Sequence, residues 1–122
     1  MKLFLFASIF SFGVFAGAAK PVDPCVLQKI KMQEVELSSA NISNINTTAT
    51  EEGGPYKRKV LKCKNTDCAV VSENKVVRKY MPEHPDADLQ GFVKFPKIDL
   101  AAEIKNLNAA TAAYYSAKAR CE

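Results

Sequence analysis

The sequence has one histidine, no Gly-x-Ser-x-Gly arrangement, no extended basic stripe and no long apolar run beyond its first nineteen residues. Each shortage removes a class of function. His84 stands alone, and Cys63 and Cys68 are spaced C-x4-C, which is neither the ligand set nor the usual spacing of a zinc site. Ser38, Ser39, Ser43, Ser72 and Ser116 lack the context of a hydrolase nucleophile. Lys57-Arg58-Lys59 with Lys62 and Lys64 is the nearest thing to a basic patch, too small for a nucleic-acid footprint. Large apolar side chains are scarce too. From Lys20 onward 44 residues are apolar, but 12 are Ala and four are Cys, leaving 28 larger ones. A core that thin is marginal without covalent or quaternary support, and it argues against a large buried active-site cavity.

What is abundant sits first at the N-terminus. Residues 1–19 hold 14 apolar residues and five of the seven Phe. Met1-Lys2 is a short positive segment, an apolar stretch follows, and Ala16-Gly17-Ala18-Ala19 supplies the small residues of a cleavage site. This pattern predicts a secretory signal over 1–19 and a single domain over 20–122. A membrane span needs about 20 apolar residues, more than this stretch offers. No stable membrane insertion is therefore expected after cleavage.

Export makes disulfides the default for the four cysteines. Cys63 and Cys68 flank Lys64-Asn65-Thr66-Asp67, a polar turn between β-prone segments, and a hairpin would bring them together. Cys25 and Cys121 then pair by elimination. That bridge encloses almost the whole exported chain.

Two helices are predicted. Asp23-Pro24 reads as an N-cap followed by the first helical position, and no Gly or Pro interrupts the chain to about Asn44. Leu27, Ile30, Leu37 and Ala40 mark one face, with Met32, Val35 and Ile42 beside it. The second helix starts after Asp99. Leu100, Ile104, Leu107, Thr111, Tyr114, Lys118 and Cys121 form a heptad-spaced seam, and eight Ala lie in residues 100–121. If the two helices run antiparallel, Cys25 and Cys121 meet at one end. A small β cap, with strands near 56–61, 69–71, 75–80 and 91–95, would close the other. The expected fold class is α+β: an antiparallel pair of terminal helices with a β-hairpin cap, disulfide-stapled.

Three motifs in order carry a family resemblance. Ser39-Ala40-Asn41-Ile42-Ser43-Asn44-Ile45-Asn46-Thr47-Thr48 is similar to the Asn-rich signature of bacterial flagellar axial proteins. Glu52-Gly53-Gly54-Pro55-Tyr56-Lys57-Arg58-Lys59-Val60, and the run from Lys79-Tyr80 through His84-Pro85-Asp86-Ala87-Asp88-Leu89-Gln90-Gly91-Phe92 to Pro96, resemble the FlgC-like proximal rod family. Residues 99–115 resemble that family's C-terminal helix.

The resemblance implies a non-enzymatic structural protein of the flagellar basal body, with no catalytic residues, cofactors or metal. Its partners would be other rod or axial proteins, or copies of itself, in the periplasm. It places interfaces on exposed parts of the two helices and the neighbouring loop, at Leu27, Ile30, Leu37, Ile42, Tyr56, Leu107 and Tyr115. Three departures stand beside it: the signal segment, a C-terminal helix that in the family continues past the position of Glu122, and a longer family insert at 62–67. They fit an alternative, a periplasmic disulfide-stabilised binding module repurposed from a rod protein. His84, Asp86 and Asp88 are expected to build a turn rather than a metal or acid–base cluster.

Overall fold

The computed structural model describes Gly13 and residues 20–122. The signal segment, residues 1–19, lies outside the described residues apart from Gly13. The elements are α1 (Pro24–Ser43), β1 (Lys59–Lys64), β2 (Asp67–Ser72), β3 (Val76–Tyr80), β4 (Phe92–Pro96) and α2 (Leu100–Arg120). The domain is α+β, with two packed terminal helices and two short antiparallel sheets, stapled by Cys25–Cys121 and Cys63–Cys68.

Both helices begin where the capping chemistry places them. The Asp23 side chain accepts the Cys25 amide at 2.8 Å, and Pro24 fills the first turn, where its missing N–H costs nothing. Asp99 accepts the Ala102 amide at 3.2 Å, with Glu103 in the first turn and Lys118 and Arg120 in the last, so the charges complement the helix dipole. At the end of α1 the Asn44 side chain donates to the Ala40 carbonyl at 2.8 Å and accepts the Thr47 hydroxyl at 3.1 Å. The Asn-rich stretch is thus a helix stop that turns the chain toward the cap.

The helix seam differs from the heptad series read off the sequence. Leu100 is 45% and Ile104 43% exposed, whereas Glu103, Ala110 and Ala117 are buried. The inner line of α2 runs Glu103, Leu107, Ala110, Tyr114, Ala117, Cys121, keeping three of the expected positions and rotating away from the others. Alanine lets the two helices approach closely. Glu103 can occupy the line because polar partners meet it there. On α1 the buried residues are Ser38 and Asn41, while Leu27, Ile30, Leu37 and Ile42 are half-buried. The buried line between the helices is therefore made of small and polar residues, with larger apolar side chains beside it.

The cap consists of two ribbons. In the first, β1 pairs with β2 and sets Cys63 opposite Cys68; the turn shrinks to Asn65-Thr66, with Asn65 in the left-handed region at φ 58°. Lys64 and Asp67, expected in the turn, belong to the strands. In the second, β3 pairs with β4, whose Val93 and Phe95 are buried. The strands lie up to three residues from their expected bounds, because the disulfide register and the Gly91 turn, rather than residue preference, set their ends. Gly91 has φ +87°, and a Cβ there would stand 2.8 Å from the Tyr80 ring.

Candidate functional site

The most heavily buried polar cluster lies where the helices meet the cap. Asn41, 1% exposed, is its hub. Its Oδ1 accepts the Lys59 amide and the Tyr56 hydroxyl, each at 2.9 Å. Its Nδ2 donates to the Lys59 carbonyl at 2.9 Å and approaches Glu103 Oε2 at 3.5 Å. One side-chain amide thus satisfies both backbone groups of a strand residue, in the way a neighbouring strand would. Glu103, also 1% exposed, pairs with Arg58 Nε, and Arg58 reaches on to Glu73 at 3.1 Å. No buried side-chain polar atom among the described residues lacks a partner.

The electrostatics follow from this burial. Desolvation, then the charge of Glu103, raises the Tyr56 phenol above its ordinary pKa. For Arg58 desolvation pulls downward, but the hydrogen bond and charge of Glu103, helped by Glu73, outweigh it and the guanidinium is held more firmly protonated. The cluster locks α1, α2 and β1 together through hydrogen bonds and the Arg58–Glu103 ion pair.

His84, Asp86 and Asp88 lie together in the turn before β4, and all three bind protein groups. His84 Nδ1 accepts the Asp86 amide at 3.0 Å. Asp86 accepts the Thr48 hydroxyl at 2.6 Å, tying the loop after α1 to this turn. Asp88 Oδ1 accepts the Gln90 and Phe92 amides at 2.9 Å each. The Phe92 amide above all, with the Gln90 amide and Arg78, outweighs desolvation and holds Asp88 below the usual carboxylate pKa. Among the described residues no group of three or more His, Cys, Asp or Glu could hold a metal ion.

The residues expected at interfaces fall into three places. Tyr56 and Leu107 lie on the inner side, Tyr56 in the Asn41 cluster and Leu107 on the α2 seam. Leu27, Ile30, Leu37 and Ile42 are half-covered along α1. Tyr115 points outward at 62% exposure, beside Tyr114 with ring centroids 5.2 Å apart. Leu37 also lines a shallow groove of 320 Å³ between α1, α2 and β1, with Val60, Leu61, Ala109 and Ala110. Sequence reading missed Leu100 and Ile104 as exposed positions, having counted them into the seam. It also missed Asn41 and Glu103 as the paired centre; the only signal for them was a polar residue recurring at inward spacing, which pattern counting discards. No helix among the described residues is long and apolar enough to cross a membrane.

No protein-family model matches this chain. It is similar to the flagellar basal-body rod protein FlgC of Borreliella burgdorferi (strain ATCC 35210 / DSM 4680 / CIP 102532 / B31), at 27% identity over 109 residues, covering 66% of this chain and 72% of that protein. It is likewise similar to FlgC of Escherichia coli O6:H1 and of Escherichia coli O157:H7, each at 27% identity over 94 residues, covering 67% of this chain and 70% of the relative. The homology to FlgC-type rod proteins is weak and partial.

Proposed function

We propose that this chain is a packing subunit of the flagellar basal-body rod type, acting by helix–helix contact with other rod or axial proteins or with copies of itself. The observation that carries the reading is the inverted helix pair. Its buried centre is Ser38, Asn41, Glu103, Ala110 and Ala117, while Leu100, Ile104 and Tyr115 stand in solvent. A helix pair that leaves Leu100, Ile104 and Tyr115 exposed and several α1 side chains half-covered gains by having them covered. The likeness to FlgC supports the same role, and the paired, fully engaged polar cluster suits a structural part better than a catalytic one.

In this reading residues 1–19 direct export and are removed. Residues 20–122 form one rod-protein-like domain in the periplasm, where both disulfides are stable. Leu27, Ile30, Leu37, Ile42 and Tyr115 make intersubunit contacts, and Tyr56 and Leu107 brace the surfaces from within. The test is co-purification with isolated basal bodies together with swimming motility of a deletion strain. Presence in the basal body and lost motility are expected. Absence from basal bodies with normal swimming would overturn the rod assignment. That result would favour a second reading, which the two disulfides support: a free periplasmic binding module held together without neighbours.

A further inference from the structure

The two disulfides sit in unlike surroundings. Of the four cysteines Cys63 alone is exposed; Cys25, Cys68 and Cys121 are half-buried. Cys25–Cys121 ties the first turn of α1 to the C-cap of α2 across 96 residues. Cys63–Cys68 lies at the tip of the first ribbon, spans five residues and has its Cα atoms 4.0 Å apart. A disulfide reacts when a thiolate reaches one of its sulfurs, so exposed bridges are the labile ones and covered bridges the permanent ones.

The ladder around Cys63–Cys68 is complete without it. The Glu73 amide donates to the Arg58 carbonyl, which makes theirs a hydrogen-bonded pair. Bonded and non-bonded pairs alternate along an antiparallel ladder. In the observed register Val60–Val71, Lys62–Ala69 and Lys64–Asp67 are therefore bonded, and Cys63–Cys68 is a non-bonded pair between the last two. Opening the bridge breaks no backbone hydrogen bond, and the bonded pairs on both sides keep the sulfurs opposite one another. Asn41 holds both backbone groups of Lys59 and anchors the ribbon at its base. The hairpin can lose this bond and close it again in place.

The surface beside the sulfurs suits a protein thiol. Lys62 and Lys64 flank Cys63; Asp67 flanks Cys68 and stands opposite Lys64, which leaves Lys62 in excess. A thiolate approaching Cys63 thus meets net positive charge, a feature of reactive cysteine sites. Side chains two apart along a strand share a face, so Leu61 and Val70 adjoin the bridge. The Lys59 Nζ contact with Ser72 Oγ at 3.3 Å continues the same face. Val70 is 51% exposed, giving the bridge an open apolar neighbour that a docking protein covers.

We propose that Cys63–Cys68 is an exchange site for the dithiol of another protein, while Cys25–Cys121 is permanent. The partner's thiolate attacks Cys63 Sγ. A bond forms between those two sulfurs and the Cys63–Cys68 bond breaks. Cys68 leaves with the electron pair and takes a proton from water. The partner's second thiol gives a proton to water and attacks the partner's own sulfur in this mixed disulfide; Cys63 leaves as a thiolate and is protonated in turn. Two electrons have then passed to the hairpin, whose cysteines are thiols, and the partner's dithiol has become a disulfide. An oxidised partner reverses each step. The change in the fold is confined to the first ribbon, which loses its covalent lock while α1, α2 and the terminal staple stay. The site needs no neighbouring subunit, so it stands or falls separately from the rod assignment.

The test uses the exported chain with both disulfides intact and no denaturant. Dithiothreitol is added, free thiols are blocked at intervals with iodoacetamide, and the blocked positions are located by peptide mass spectrometry. Cys63 and Cys68 are expected to be blocked about ten-fold or more faster than Cys25 and Cys121, with the circular dichroism spectrum unchanged. In a second experiment the probe is a Cys-x-x-Cys protein whose second cysteine is replaced by Ser, so that it forms a mixed disulfide and does not resolve it. It is added in excess and the mixture is quenched in acid. A covalent adduct through Cys63 is expected. Equal opening of the two bridges, earlier opening of Cys25–Cys121, or an adduct through Cys68 overturns the proposal. So does a hairpin that dithiothreitol opens but that gives no adduct with the protein, because access for a small thiol alone makes no site.

Discussion

The helix pair and the β cap solve the same shortage of large apolar residues differently. The helices are joined at one end by a covalent bond across 96 residues and at the other by the Asn41–Glu103–Arg58 cluster. Between these ends they pack on alanine. The cap has a small core at Val93 and Phe95, and the rest of its strand surface is mostly open. It is also the basic part: residues 56–97 carry ten Lys and Arg against five Asp and Glu, while residues 20–55 carry three against five. Stability is concentrated in the helices and their junction. Exposed strand edges and charge are concentrated in the cap. The contrast shows how a thin core supports one rigid region by covalent and polar means while a second region remains available for contacts.

The largest test of that division is the terminal staple. Replacing Cys25 and Cys121 by Ser releases a loop of 96 residues, and the chain-entropy model gives a loss of about 5 kcal/mol in urea unfolding. An unchanged midpoint would mean that the helices do not depend on the bridge. Next is the polar junction. Glu103→Ala leaves the Arg58 guanidinium without its nearly buried partner, a change expected to cost about 3 kcal/mol, whereas Glu103→Gln, which can still hydrogen-bond, costs less. Equal losses in the two variants would assign the effect to packing rather than charge.

Replacing Cys63 and Cys68 by Ser opens a loop of only five residues, so the same model gives about 2 kcal/mol. Amide exchange should quicken in β1 and β2 and stay slow in α1 and α2; uniform loosening would erase the distinction between the regions. The smallest effect is alkaline. Because the folded state holds the Tyr56 phenol above its ordinary pKa, the unfolded chain loses that proton first as pH rises. The stability tied to Tyr56 is therefore intact below the usual tyrosine range and is lost as pH climbs through it. A Tyr56→Phe variant should lack that component in a series of urea titrations.

Much of this architecture is legible in the sequence. Asp23-Pro24 and Asp99 announce helix starts through local hydrogen bonding. Cys63-x4-Cys68 announces a hairpin because so short a loop admits few geometries. The seam of α2 was not legible. Counting hydrophobic residues favoured Leu100 and Ile104, but Asn41 and Arg58 hold Glu103 inward, and Ala110 and Ala117 follow it onto the buried line. The Asn41 cluster was hidden for the same reason. A buried Asn or Glu is stable only when its partners converge, and Tyr56, Arg58 and Lys59 arrive from across a loop that local pattern does not position.

The sequence by itself determined the helix ends, the hairpin turn and, through four cysteines and an antiparallel arrangement, both covalent staples; these rest on interactions between near neighbours or on a small number of possible pairings. Only the tertiary structure decided which side of each helix is inside, how a carboxylate and an amide came to form the buried centre, and which strand edges were left open. Those outcomes depend on distant groups meeting, since burial of a polar side chain and pairing of a strand edge are both settled by what arrives beside them.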